Sequence, residues 1–79
     1  MAWKARKSDC TNAIRRLNEK LDKYNIELFF VRRRSFVTPF AVDIFDLEGN
    51  LIKTLVTGRL QEINMYLGGM EFVCSLNEY

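Results

Sequence analysis

The sequence predicts an α+β two-layer sandwich in the order α-β-β-β-α-β: a mainly antiparallel four-stranded sheet with two helices on one face. Three observations predict it. Apolar residues step by three and four from Cys10 to Tyr24, the run Asp46-Leu47-Glu48-Gly49 separates two strand-like segments, and a second, shorter helical stripe follows Thr57-Gly58.

The first seven residues, with Trp3 among three cations, show no periodicity and read as a flexible basic arm before a single domain at 8–79. Ser8 or Asp9 offers a cap. Cys10, Ile14, Leu17, Leu21 and Tyr24 then form one helical stripe, while Arg15, Arg16, Glu19, Lys20, Asp22 and Lys23 occupy the opposite face. Asn25 is a stop signal.

Strand one, Ile26 to about Arg33, follows from its Ile/Phe/Val content, with Ile26, Leu28 and Phe30 on one face and Phe29 and Val31 on the other. A link runs to Pro39, whose missing N–H suits the start of a strand. Strand two is Phe40 to Asp46. A type I turn with left-handed Gly49 leads into strand three, Leu51 to Thr57. The regular register then sets Phe40, Val42 and Ile44 opposite Val56, Thr54 and Ile52, and Ala41, Asp43 and Phe45 opposite Leu55, Lys53 and Leu51. Asp43 and Lys53 are expected to form a cross-strand ion pair.

Leu60, Ile63, Tyr66 and Leu67 give a second helix that is expected to stop at Gly68-Gly69. A fourth strand, Met70 to Leu76, follows from the alternation of Met70, Phe72, Cys74 and Leu76. A right-handed crossover places it beside strand one in the order 3-2-1-4, which makes strand one central; the alternative sets it beside strand three.

Composition narrows the function. The chain has 79 residues, 48% of them hydrophobic and 28% charged, as in an ordinary folded domain, but so short a chain has a thin stability margin. No apolar run is long enough to cross a bilayer and no signal-peptide core is present, so a cytoplasmic protein is expected. There is no His, which removes the commonest general acid–base group and the usual zinc ligand, so no metal and no cofactor is expected. Cys10 and Cys74 read as buried free thiols, with a disulfide or a reactive thiol as alternatives. Asp43 and Asp46 point to opposite faces of a strand, so they make no paired-carboxylate site and the protein is expected not to be an enzyme. Thr57-Gly58-Arg59 reads as a helix cap before it reads as an anion site.

Charge is unevenly shared. Residues 1–34 carry ten basic residues against four acids, a balance of +6, while residues 35–79 carry two against six, a balance of −4. Two surfaces follow. An apolar outer sheet face of Phe29, Val31, Arg33, Phe45, Leu51 and Leu55 would contact a protein partner or a second copy, as a small accessory or inhibitor protein of the kind phages encode would do. Alternatively Lys4, Arg6, Lys7, Arg15, Arg16, Arg32, Arg33 and Arg34 would bind nucleic acid, with Trp3 and Phe36 available to stack on bases.

The order helix, three strands, helix resembles that of double-stranded-RNA-binding domains, without their lysine-rich start in Arg59-Leu60-Gln61-Glu62-Ile63-Asn64-Met65-Tyr66. Three strands, helix and strand resembles the truncated ribonuclease-H-like fold of some antitoxins. Neither likeness is carried by residues, and no family is assigned.

Overall fold

A computed structural model describes residues 5–76. The elements are α1 (Lys7–Leu21) with a 3-10 turn at Asp22–Tyr24, β1 (Ile26–Arg32), β2 (Phe40–Asp46), β3 (Leu51–Gly58) and α2 (Leu60–Leu76). The chain is thus α+β, with two helices and one three-stranded antiparallel sheet in the order β1-β2-β3.

Both helices open in the same way. Arg6 precedes α1, and its N–H donates to the Asp9 carboxylate at 2.8 Å; Arg59 precedes α2, and its N–H donates to Glu62 at 3.1 Å. An acid three residues into each helix satisfies an orphan N–H and complements the helix dipole. Arg6 and Lys7, assigned above to the arm, are therefore the cap and first residue of α1. Its end is as expected: Asn25 adopts φ 61°, and its N–H donates to the Asp22 carbonyl at 3.0 Å.

The expected fourth strand is absent, because Met70–Leu76 continues α2 through Gly68 and Gly69. Leu60, Ile63, Leu67, Met70 and Cys74 step by three and four and form one inward stripe, with Ile63 and Leu67 fully buried and the rest packed beside them. That stripe outweighs the stop signal of two glycines. With no fourth strand, β1 is an edge rather than the centre.

The β1–β2 pairing is regular, from Ile26 opposite Asp46 to Arg32 opposite Phe40. The hairpin turn forms as expected: the Asp46 N–H donates to the Asn50 carbonyl at 3.0 Å, and Gly49 takes φ 87°. The β2–β3 register differs. Val42 pairs with Val56 but Asp43 with Thr54, and Ile44 pairs with Lys53 but Phe45 with Leu51, so Leu55 and Ile52 are the extra residues of two bulges. The first bulge turns Leu55 toward the core beside Val56.

Cys10, Ala13, Ile14 and Leu17 of α1, Ile63 and Leu67 of α2, and Leu28 and Val42 of the sheet make one core. The helices run parallel. Cys10 Sγ meets the Leu60 carbonyl at 3.5 Å, Arg16 pairs with Glu71 at 2.9 Å and Lys20 Nζ meets Ser75 Oγ at 3.2 Å, ascending along both helices together. Cys10 and Cys74 are free thiols, and burial together with the Asp9 charge raises the Cys10 pKa, which keeps it an inert core group. No helix among the described residues is long and apolar enough to cross a membrane.

Candidate functional site

Parallel helices on an antiparallel meander bring both helix starts and the β1–β2 loop to one end of the molecule. Ala5, Phe36, Pro39, Arg59 and Gln61 line one shallow groove there, and Arg32, Arg33, Arg34, Ser35, Phe36 and Pro39 line the next. Phe36 and Pro39 belong to both. The positive ends of two helix dipoles thus lie beside a cluster of guanidinium groups.

The loop that carries this cluster is closed by its own bonds. The Arg33 N–H donates to the Pro39 carbonyl at 2.7 Å, and Ser35 Oγ accepts from the Thr38 N–H at 3.1 Å. Phe36 is held at the tip with 97% of its surface exposed, and Val37 beside it is also exposed. Phe36 and Val37 thus present an apolar tip to solvent beside the arginines of the loop.

The basic residues expected from the sequence divide by what they touch. Arg32, Arg34, Lys7 and Arg15 are exposed and form no ion pair among the described residues, and Arg59, outside the expected set, is the same. Arg16 is held by Glu71 through Nε at 3.3 Å and Nη2 at 2.9 Å. Arg33 turns away from the cluster onto Asp43. Lys4 and Trp3 lie outside the described residues. The opposite end carries Asp22, Asp46 and Glu48. There Asp46 Oδ1 accepts the N–H groups of Glu48 and Asn50, each at 2.9 Å, and hydrogen bonding led by the Asn50 N–H holds its carboxyl below the usual range.

The outer sheet face is more polar than expected. Arg33 Nη2 donates to both oxygens of Asp43 at 2.8 and 2.9 Å, and Thr54 Oγ1 donates to Asp43 Oδ1 at 2.7 Å. Lys53 is therefore not the partner of Asp43: the bulge carries it to the other side and brings Thr54 opposite. This network fills the middle of the face. Phe29 and Phe45 meet edge to face at 5.2 Å between centroids, with exposed Leu51 opposite Phe45 and half-buried Val31 along the strand. Leu55 does not belong to this surface.

Asn18 has no assigned role in the sequence pattern, and Arg59 appears there only in a helix cap or anion site apart from the basic set. Asn18 sits four residues after Ile14, at the margin of the α1 stripe, and its amide holds the exposed edge of β1: Nδ2 donates to the Leu28 carbonyl at 3.1 Å and Oδ1 accepts the Leu28 N–H at 2.7 Å. The stripe spacing was its signal. Arg59 joins the basic end only once the helices are known to be parallel.

No known protein family, curated protein or solved structure matches the chain.

Proposed function

We propose that the protein binds nucleic acid through the end where the β1–β2 loop meets the two helix starts. One observation carries the reading: Arg32, Arg34 and Arg59, unpaired among the described residues, line two adjoining grooves that share Phe36, itself 97% exposed. Guanidinium groups neutralise phosphates and release counterions, which gives salt-dependent affinity without sequence preference. A ring beside them stacks on an unpaired base. The element order, like that of double-stranded-RNA-binding domains, puts duplex RNA among the probes.

Fluorescence anisotropy with single- and double-stranded RNA and DNA over a salt series tests this. Binding is expected at low salt, and replacing Arg32, Arg34 and Arg59 together with Ser is expected to lower the slope of log K against log salt by about 3. Absence of binding to every probe at low salt, or an unchanged slope in the variant, removes the proposal.

A second reading, contact with a protein through the outer sheet face, is favoured by Phe29, which stays 44% exposed while meeting Phe45 edge to face. Affinity capture from the native host after nuclease treatment tests it. A protein retained by the wild type and lost with Phe29→Asp supports it, and equal capture by both removes it.

A further inference from the structure

Helix α2 is apolar on two opposite faces. Its inward stripe is buried against α1 and the sheet, but Met65, Phe72 and Leu76 step by seven and four on the far side, with Tyr66 and Val73 beside them. Met65 is 68% and Phe72 65% exposed. An apolar helix stripe is ordinarily buried, and of the two that α2 carries only the inward one is covered among the described residues.

At the centre of the exposed stripe lies Gly69, flanked by Gly68. Glycine weakens a helix interior relative to alanine. Nothing among the described residues requires it, since an added Cβ at either position would meet none of their atoms within 4 Å. A bare backbone at the middle of an apolar helix face allows a second helix to approach closely.

We infer that this face is the contact surface of a homodimer, in which α2 of one copy crosses α2 of another at Gly69. Charge favours a second copy. From Met65 to Leu76 the only charged residue is Glu71, which turns to α1 and is held by Arg16, so the stripe is neutral and complements itself. A membrane surface would call for lysines and arginines flanking the stripe, and α2 has none. The area suffices: the exposed parts of Met65, Tyr66, Phe72, Val73 and Leu76 amount to on the order of 500 Å² per copy, hence about 1,000 Å² between two, where specific interfaces begin. The copies cross antiparallel, because a parallel crossing would set two Arg59 side chains and two positive helix ends side by side. This inference is independent of nucleic-acid binding.

Sedimentation of the full chain from about 1 µM to about 100 µM is the test, since interfaces of this size reach micromolar affinity. A monomer–dimer equilibrium is expected. Phe72→Glu and Gly69→Gln, both at sites open to water in the monomer, are expected to weaken it by about tenfold or more with an unchanged circular dichroism spectrum. Phe29→Asp, on the outer sheet face, is expected to leave it unchanged. A wild type monomeric throughout, a dimer that survives both α2 substitutions, or one dissolved by Phe29→Asp overturns the inference. Retention of the wild type on neutral lipid vesicles, lost in the α2 variants, would assign the face to a bilayer and overturn it equally.

Discussion

Asn18 and Leu28 are joined by two hydrogen bonds, in which one side-chain amide serves both backbone groups of an edge-strand residue. The amide occupies the place of a neighbouring strand. It anchors α1 to β1 and blunts an edge that would otherwise offer a template for another chain. Asn18→Ala is expected to cost about 1–3 kcal/mol in urea denaturation, since it strands two partly buried backbone groups. It is also expected to speed amide exchange at Leu28 and raise the tendency to aggregate.

Arg33 and Asp43 form the other pairing that locks the sheet. Asp43 is buried and Arg33 is 40% exposed in its side chain, so the two substitutions are not equivalent. Arg33→Ala leaves a buried carboxylate with Thr54 as its remaining partner and is expected to cost about 1–3 kcal/mol, discounted for the exposure of the arginine. Asp43→Ala releases Arg33 to water and is expected to cost less. Because Arg33 is spent inside the fold, its loss should weaken nucleic-acid binding far less than loss of Arg32 or Arg34, once both variants are compared under conditions where they are folded.

The β2–β3 turn carries a pH dependence. The Asp46 carboxyl is lowered in the folded protein by the hydrogen bonds it accepts, so its contribution is present above the unfolded value of about 3.9 and lost as pH falls through the lower, folded value. Asp46→Ala is therefore expected to be less stable than the wild type at neutral pH, with the difference shrinking below about pH 4. Denaturant midpoints of both proteins at pH 7 and at acid pH measure it.

Leu55 and Leu51 report on the bulges. Leu55→Asp places an unpaired charge against the core and is expected to cost about 2–4 kcal/mol, while Leu51→Asp, at an exposed position, is expected to stay within about 0.5 kcal/mol of the wild type. Equal costs would mean that the strands pair without the first bulge.

Phe36 separates stacking from charge. Phe36→Ala is expected to leave thermal stability within about 0.5 kcal/mol and to reduce affinity for single strands by about 1–3 kcal/mol, with duplex affinity little changed. Parallel melting and anisotropy measurements distinguish the two effects.

Local patterns made much of the fold legible. The three-and-four spacing of Cys10, Ile14 and Leu17, the left-handed Asn25 and the Asp46–Gly49 turn all mean in the structure what they mean in the sequence. Met70–Leu76 was not legible. Apolar residues on both faces of a helix satisfy an alternating pattern as well as a helical one, and the adjacent glycines imitate a terminus. Nor were the bulges, which answer to packing across strands and leave no mark in one strand's sequence. Of the candidate surfaces, the basic arginines were visible as residues. Their division into Arg33 and Arg16, held by acids, and Arg32 and Arg34, facing water, required the register and the second helix.

The parallel setting of the helices makes the protein a two-poled particle rather than a weak cation. Its net charge is +2, but the fifteen residues of α1 alone put about 22 Å between the arginine end and the end with Asp22, Asp46 and Glu48. At physiological ionic strength the Debye length is about 8 Å, so a polyanion at one pole is shielded from the other. In very dilute salt the screening length exceeds the molecule and the poles partly cancel. Attraction to a polyanion should therefore grow less on dilution of salt than the number of exposed arginines suggests, and the molecule should approach such a surface with one fixed orientation.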